Sequence, residues 1–427
     1  MKNVVVAGGA RTPNIKFNTL FKDVPAYHLG RHALTEALYR SGVRPEQLDE
    51  VIFGCIGNPV EAANVSRVIS LLAQVPQSVP AYTVSRNCAS GIESVVDGFY
   101  RIAAGDAEYV AAGGAESMSN IPLLFKKKTQ DKFTALSRAR TLGQKIAGML
   151  TFRPSDFGPV IGLACGLTDY NVQLNMGETA ELLAREFDIS REAQDQLALM
   201  SHQRAEAATE SGRFLKEIVP VPMPPKYEEW VKEDNGIRKG QSMEALGKLR
   251  PVFDRRYGTV TAGNASQITD GGSCLVLAEE EKARAEGLPI LGRIKAFTMV
   301  GLDPARMGLG PAYAIPKLLK KAGMEYKDAQ LYEINEAFAS QVLACEKALA
   351  SETWCQKNLG RGKVCDLDWD ITNVNGSGIS LGHPVGQSGN RLILTLLYEM
   401  QERGLETGIA SLCVGGGQGA AILLERC

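Results

Sequence analysis

The sequence predicts an α/β fold built as two similar halves, with a loop domain inserted into the first. Strand-like and helix-like segments alternate at both ends of the chain, which is typical of layered α/β proteins. The same succession occurs twice, and the spacing of its glycine pairs differs between the copies by about 150 residues. We therefore expect the halves to span residues 1–120 plus 251–279 and residues 280–427, with the loop domain over residues 121–250.

The duplication is carried by three pairs of segments. The first pair is residues 41–53 and 322–334, each of which is a helix end, a glycine turn and a strand. The second pair is the helices that follow Cys88 and His383, each succeeded by a strand that ends in two glycines. The third pair is the closing strands, 271–277 and 418–424. Cys88 and His383 thus stand at equivalent helix starts. Two halves packed about a pseudo-twofold axis would bring both residues into one pocket.

Cys88 lies between a predicted buried strand, 79–84, and a predicted helix, 92–102. The N-terminus of a helix carries partial positive charge and unpaired N–H groups. Both stabilise a thiolate, and the same N–H groups can hold an oxyanion. We interpret Cys88 as a nucleophile, although a lone cysteine is more often an inert core residue.

Two motifs near the C-terminus supply partners for such a thiol. A glycine-rich loop over residues 373–389 contains His383 and leads into a predicted helix, 390–402, while a later strand ends at Cys413 and is followed by glycines. A histidine beside a thiol is the usual means of activating it. A second cysteine has an ordinary pKa of about 8.5, which suits proton exchange near working pH. Alone, His383 could be a capping residue and Cys413 a core thiol.

Composition narrows the function classes. The chain has 427 residues and a net charge of −1, so its overall charge gives no reason to expect nucleic-acid binding. Nine scattered cysteines and four histidines form no metal-ligand spacing, and free thiols suit a reducing cytoplasm. The chain begins directly with a strand, so we expect no signal peptide, and no apolar run reaches the length of a membrane span.

Six motifs, in order along nearly the whole chain, resemble those of the thiolase family. They are residues 87–91 (NCASG), 113–119 (GGAESMS), 261–266 (TAGNAS), 335–339 (NEAFA), 382–384 (GHP) and 413–417 (CVGGG). The resemblance implies a duplicated αβαβα layered fold and an acyltransferase of 3-ketoacyl-CoA, acting in fatty-acid metabolism or in the reverse Claisen condensation. It also implies coenzyme A and acyl-CoA as substrates, no permanently bound cofactor or metal, and a homodimer or homotetramer.

The resemblance also implies roles for particular residues. Cys88 would be the nucleophile, His383 its base and Cys413 the second acid/base, with Gly415 and Cys88 N–H groups as one oxyanion site and Asn335 holding a water at another. The substrate contacts would be Ala262 and Ser266 at the pantetheine, Phe253 near the adenine, Met176 and Phe338 along the acyl tunnel, and Ala337 beside them. Asn335 could instead be a turn residue, and Met176 and the two phenylalanines could be ordinary core.

The inserted segment carries a basic, apolar stretch over residues 124–153. It has eight basic residues and one acid between Lys126 and Arg153, interleaved with apolar side chains, which predicts one or two amphipathic helices. Three interpretations stay open: a solvated helix face, a surface for CoA phosphates or a partner subunit, and a membrane-surface helix.

The insertion also resembles that of one subgroup, the thiolase subunit of fatty-acid β-oxidation trifunctional complexes, as do residues 232–238 and 248–256. That resemblance implies a hydratase/dehydrogenase subunit as partner. Asn335 stands where this subgroup usually has histidine, and residues 414–417 lack its alanine-containing turn. At those positions the chain is similar to the general degradative and biosynthetic thiolases.

Three other functions compete with a thiolase. A 3-ketoacyl-ACP synthase shares the duplicated fold but uses two histidines, whereas here Cys413 takes the second place. A non-catalytic thiolase-like scaffold would not need the four reactive residues together. An unrelated cysteine hydrolase would release a free acid by passing the acyl group to water.

Overall fold

The computed structural model describes residues 2–427. The strands are β1 (Val4–Arg11), β2 (Ile15–Lys16), β3 (Glu50–Gly54), β4 (Ala81–Val84), β5 (Tyr109–Ser117), β6 (Leu123–Leu124), β7 (Val160–Ile161), β8 (Val221–Pro222), β9 (Trp230–Val231), β10 (Thr269–Glu279), β11 (Gly292–Gly301), β12 (Leu331–Ile334), β13 (Thr407–Val414) and β14 (Gln418–Glu425). The helices are α1 (Ala26–Ser41), α2 (Val65–Leu72), α3 (Ser90–Ala104), α4 (Lys127–Arg138), α5 (Leu142–Met149), α6 (Gly162–Gly166), α7 (Met176–Glu186), α8 (Arg191–Glu210), α9 (Met243–Gly247), α10 (Glu280–Ala285), α11 (Gly310–Ala322), α12 (Ala339–Ala350), α13 (Glu352–Leu359), α14 (Gly378–Leu381) and α15 (Val385–Arg403).

The main sheet has a mirrored strand order that confirms the duplication. Its order is β4-β3-β5-β10-β1-β11-β14-β13-β12, with the short β2 paired to β10. Strands β1 and β11 join the halves through a brief antiparallel pairing of Val5 with Arg293 and Val6 with Gly292. Outward from that seam, β10-β5-β3 on one side corresponds to β14-β13-β12 on the other. A strand order repeated about one seam is the mark of two copies of one unit.

Helices fill three layers around the two halves of the sheet, which confirms the predicted αβαβα arrangement. Helices α3 and α15 share one buried core with apolar side chains from both half-sheets. They approach so closely that a Cβ on Gly91 would stand 2.5 Å from the backbone nitrogen of Asn390. The outer faces are covered by α1 and α2 on the first half and by α11 and α12 on the second.

Several predicted bounds differ from those of the structure. The helix predicted at 390–402 begins at Val385, because Pro384 caps it and the small residues after it continue the helical turn. In the inserted segment, the pattern of residues 178–208 predicts one helix, but the structure has two, α7 and α8, separated by a turn in which Asp188 has φ of +48°. Strand β4 is half-buried rather than buried, because it forms an edge of the sheet.

The inserted segment divides into a packed part and an exposed part. Leu183 and Leu197 of α7 and α8 are buried in the same core as α11 and α12 of the second half. Helices α4 and α5 stand apart from that core, and the apolar side chains of Leu142 and Leu150 are 74% and 81% exposed. The basic stretch therefore forms two helices with uncovered apolar faces. Within residues 2–427, no helix combines the length and apolar character needed to cross a membrane.

Candidate active site

Cys88 faces a cavity of about 240 Å³ between the first half and the inserted segment. It lies two residues before α3, so the first turn of that helix begins just beyond the sulfur. Met176 of the inserted segment and Gly415 from the loop after β13 line the same cavity. Three of the residues expected at the site, from three distant parts of the chain, thus meet at one pocket.

Groups around Cys88 shift the pKa of its thiol in opposite directions. Burial raises its pKa most, while hydrogen bonds from the backbone N–H of Gly415 and from its own N–H lower it, and the nearby carboxylate of Glu116 raises it. The net pKa lies above the ordinary thiol value. The expectation that the site lowers the Cys88 pKa is therefore wrong for the resting protein, because desolvation outweighs the two N–H donors. The two backbone N–H groups expected as donors, those of Cys88 and Gly415, are the ones that lower the pKa of this thiol.

Asn87 connects the two loops that supply those donors. Its side-chain Nδ2 donates to the carbonyl oxygen of Gly415 at 2.7 Å. Its backbone has φ of +44°, in the left-handed region that asparagine tolerates better than most residues. Asn87 also lines the cavity, yet its role went unnoticed in the sequence, where it is only the neighbour of the cysteine.

His383 is held as a base with one free nitrogen. Its Nδ1 lies 2.6 Å from Oγ of Ser388, and that hydroxyl donates its only hydrogen to the carbonyl oxygen of Pro384 at 2.9 Å. Ser388 must then accept from Nδ1–H, which leaves the lone pair on Nε2. Among the described residues, Nε2 is buried and has no hydrogen-bond partner. This tautomer is the one a general base needs.

Burial keeps the His383 imidazole neutral. Desolvation, and then the positive charge of Arg391, lower its pKa to about 4. The ring reaches its position through Gly382, whose φ of +82° and whose contact with Thr269, 2.3 Å from an ideal Cβ, leave no space for a side chain. The imidazole of His383 is therefore neutral and has a free lone pair on Nε2.

Asn335 follows β12 and is fully buried. Within the part of the chain that the structure describes, neither its Oδ1 nor its Nδ2 has a hydrogen-bond partner. A buried amide with both groups unpaired costs stability, and such groups are rare in structural turns. The arrangement favours a role toward substrate or water over the alternative of a turn residue.

Cys413 is the penultimate residue of β13 and is 1% exposed. Burial first, and then the nearness of Cys88 and Cys345, raise its pKa well above the ordinary thiol value. It belongs to an apolar cluster with Met176, Phe253, Phe338 and Ala337. The rings of Phe253 and Phe338 pack edge to face at 6.1 Å. These residues surround the thiol of Cys413 with apolar groups.

Ala262 and Ser266 lie on a loop that borders the NEAFA motif. The backbone N–H of Ser266 donates to the carbonyl oxygen of Ala337 at 2.9 Å. Ala262 is exposed and Ser266 is half-buried. Both can therefore be reached by a substrate. Phe253, by contrast, packs against Phe338 and is part of the apolar cluster around Cys413.

Glu116 is a site residue without an assigned role in the sequence prediction. Its buried carboxylate accepts backbone N–H groups of Ile56, Gly57 and Gly386, at 3.1, 2.8 and 2.9 Å. It thus joins the loop after β3 to the start of α15, three residues beyond His383. The sequence feature that could have identified Glu116 is its position in the GGAESMS motif. Among residues 2–427, no group of three or more His, Cys, Asp and Glu side chains is arranged to hold a metal ion.

Comparisons with known proteins match the chain along its length. The family models for the thiolase N-terminal and C-terminal domains match residues 4–281 and 288–426. A 3-ketoacyl-CoA thiolase of Pseudoalteromonas translucida is 39% identical over 99% of this chain and 96% of its own. A Bacillus anthracis acetyl-CoA acetyltransferase has a TM-score of 0.87 at 39% identity, covering 100% and 99% of the chains. Human mitochondrial 3-ketoacyl-CoA thiolase in complex with CoA has a TM-score of 0.86 at 36% identity, covering 100% and 98%.

The duplicated layered fold and the matches along both halves define the chain as an acyltransferase. The chain belongs to the thiolase family. The alternatives of a 3-ketoacyl-ACP synthase and a non-catalytic scaffold are not favoured by these matches.

Proposed function

We propose that the protein cleaves 3-ketoacyl-CoA with free CoA, in fatty-acid β-oxidation, through an acyl group on Cys88. Nε2 of His383 takes the thiol proton of Cys88, and the sulfur attacks the keto carbon of the substrate. The resulting oxyanion accepts the N–H groups of Cys88 and Gly415. The bond between the α and β carbons then breaks, which leaves the acyl group on Cys88.

Cys413 handles the proton of the departing carbon. Its thiol protonates the enolate of acetyl-CoA, whose oxygen faces His383 and a water held by Asn335 in this proposal. The Cys413 thiolate then takes the proton of incoming CoA, and the CoA sulfur attacks the acyl carbonyl. Cys88 leaves as thiolate and recovers its proton from His383. The same steps in reverse condense two acyl-CoA molecules.

The observation that carries this proposal is that Cys88 and Gly415, from the two halves of the chain, line one cavity, where the Gly415 N–H lowers the pKa of the Cys88 thiol. A backbone donor aimed at a nucleophilic sulfur also reaches the oxygen of the carbonyl that the sulfur attacks, and each such donor contributes roughly 3 kcal/mol to the transition state. The unpartnered Nε2 of His383 supports the assignment of the base.

The first prediction concerns Cys88→Ala. The enolate absorbance of a 3-ketoacyl-CoA is followed after free CoA is added, and we expect the rate to fall by roughly 10³-fold or more, because no other thiol can form the acyl intermediate. Cys427→Ala is the matched control, since Cys427 is an exposed thiol at the chain end. Wild-type rates in Cys88→Ala, or no CoA-dependent cleavage by the wild type, would refute the proposal.

We also propose the partners that the family resemblance implies: a homodimer or homotetramer, a hydratase/dehydrogenase subunit, and a membrane surface reached through residues 124–153. The half-buried edge strand β4 supports self-association, and the exposed apolar side chains of α4 and α5 support a docking role. A reducing, cytoplasmic setting belongs to the same proposal, because Cys88 and Cys413 react only as thiols. The proposed loop domain is residues 121–250, between halves 1–120 plus 251–279 and 280–427.

A further inference from the structure

Helix α15 begins after a residue that cannot cap it. Its first turn carries Ser388, whose hydroxyl lies 2.6 Å from Nδ1 of His383. The residue before that turn is Pro384, and a proline side chain has no acceptor for the N–H groups at a helix start. One of those groups, the N–H of Gly386, donates instead to Oε2 of Glu116 at 2.9 Å. Because Glu116 lies on β5, the cap of this second-half helix comes from the first half.

The carboxylate of Glu116 receives two donors on each oxygen. Oε1 accepts the N–H of Gly57 at 2.8 Å and the thiol of Cys55 at 3.8 Å. Oε2 accepts the N–H of Ile56 at 3.1 Å in addition to that of Gly386. A proton on either oxygen would point at one of these donors, so the arrangement requires the ionised form. The four hydrogen bonds lower the pKa of Glu116 against burial, which is the larger influence and raises it.

Both segments that Glu116 joins leave room for its carboxylate by lacking a side chain. An ideal Cβ on Gly386 would stand 2.8 Å from Oε2 and 3.0 Å from Cα of Cys55. An ideal Cβ on Gly57 would stand 2.9 Å from Oε1. Glu116 borders the cavity beside Cys88, yet it is 1% exposed and its oxygens face these donors. Its contacts are therefore with the wall of the site and not with the space inside.

We propose that Glu116 is a positioning residue for the reaction, which fixes the first turn of α15 against the first half and thereby orients the ring of His383. The path runs from Glu116 to Gly386, along the same turn to Ser388, and from its hydroxyl to Nδ1 of His383. A negative charge at a helix N-terminus is itself favourable. The inference rests on the proposed chemistry at Cys88 and adds the residue that orients its base.

The charge of Glu116 opposes the nucleophile while its hydrogen bonds support the base. The carboxylate raises the pKa of Cys88, and a neutral group in its place would therefore favour the thiolate. The other titratable side chains of the cavity lining are Asp169 and Tyr170, and Cys413 also lies close enough to interact with Cys88. These three are unchanged in a Glu116 variant. Loss of the Glu116 charge should thus affect nucleophile and base in opposite directions.

The test compares Glu116→Gln with the wild type in two measurements. One is kcat and KM for CoA-dependent cleavage of a 3-ketoacyl-CoA, and the other is the pH dependence of Cys88 alkylation by iodoacetamide. Glutamine keeps the size of the side chain, but it loses the charge and turns an amide NH₂ toward an N–H donor. We expect kcat to fall roughly 10- to 100-fold with KM little changed, because the base is misplaced. The midpoint of alkylation should move to lower pH, which a general loss of stability would not produce.

Glu279→Gln is the matched control. Glu279 is a buried carboxylate that caps α10 and accepts the N–H of Lys282 at 2.8 Å, and α10 carries none of the site residues. Its kcat and alkylation midpoint should equal those of the wild type. Glu116→Asp keeps the charge but is one methylene shorter, so we expect slow turnover with an unchanged midpoint. It carries the test if Glu116→Gln does not fold.

A double-mutant cycle with Ser388→Ala separates action through His383 from independent action. If Glu116 acts through the first turn of α15, kcat of the double variant should lie little below that of the slower single variant. Wild-type kcat in Glu116→Gln, or effects of the two substitutions that multiply, would overturn the inference. Failure of the proposed function looks different, because the wild type would then show no Cys88-dependent cleavage.

Discussion

At the residue scale, the position of Asn87 predicts that it acts through Gly415. Its amide holds the Gly415 carbonyl oxygen, and the N–H of the same glycine lowers the pKa of Cys88. In Asn87→Gly the positive φ is relieved but the amide is lost, so the Gly415 loop loosens and the Cys88 pKa rises. Less thiolate then exists at a given pH. We expect alkylation of Cys88 by iodoacetamide at pH 8 to slow several-fold and kcat to fall roughly tenfold, with KM little changed.

The control for Asn87 is Gln74→Gly, which removes another side chain at positive φ, 61°, on an exposed loop. It should leave both rates unchanged. Asn87→Asp keeps the tolerance for positive φ but replaces the donor by a carboxylate that repels the Gly415 carbonyl, and it should be slow as well. An Asn87→Gly variant with wild-type alkylation and kcat would show that the amide does not position Gly415.

The residue types in the sequence predicted the chemistry of the candidate site better than its geometry. The sequence placed Cys88 and His383 at equivalent helix starts, and in the structure each lies two residues before its helix, α3 or α15. The raised pKa of Cys88 could not be foreseen, because desolvation depends on how many groups from distant segments surround the sulfur. The same holds for the tautomer of His383, which depends on the hydroxyl of Ser388 and its bond to Pro384.

At the element scale, the alternation of strand-like and helix-like segments predicted the position of the duplicated core. For the inserted segment, only the amino-acid composition was informative. Periodicity could not foresee the break at Asp188 between α7 and α8, since both flanks have helical patterns. Nor could it foresee that the short helix α6 forms part of a wall facing Cys88, because that contact joins segments of the chain more than 70 residues apart. The five-layer arrangement itself came from family resemblance.

Helices α4 and α5 predict binding to anionic membranes. Leu142, Ile146 and Leu150 recur every four residues and are at least half exposed, beside lysines and arginines. Vesicles containing anionic phospholipid should sediment the protein, and neutral vesicles should do so far less, because each basic residue near such a surface contributes about 1 kcal/mol. Ile146→Glu should reduce the bound fraction several-fold, whereas Tyr39→Glu, at another exposed site, should not. Equal binding by Ile146→Glu would contradict the membrane role and leave a partner subunit as the ligand of this surface.

At the scale of the whole molecule, the duplication gives the sheet two ends that differ. Strand β12 is bridged on its outer side by Thr372. Strand β4 pairs only with β3 among the described strands, and it is four residues long and half-buried. On the outer side of β4 the carbonyl of Ala81 accepts Asn64 Nδ2 at 2.9 Å, and the backbone groups that remain unpaired on such an edge are a template for a second chain. Symmetric pairing of two β4 edges would give a twofold dimer, the commonest symmetry of homo-oligomers.

The edge of β4 predicts that dimerisation and activity are coupled. Only three residues separate β4 from Cys88, so a partner at this edge would also restrain the nucleophile loop. The carbonyls of Pro80 and Val84 accept bonds from β3, so the alternating Ala81 directs its N–H away from β3. Ala81→Pro should therefore leave the β3 pairing intact and weaken the dimer. In sedimentation velocity we expect a dimer for the wild type and a larger monomer fraction for the variant, with specific activity that falls on dilution in step with dissociation. A variant that stays dimeric with full activity would place the interface elsewhere, and a monomer with undiminished activity would show that the nucleophile loop needs no partner.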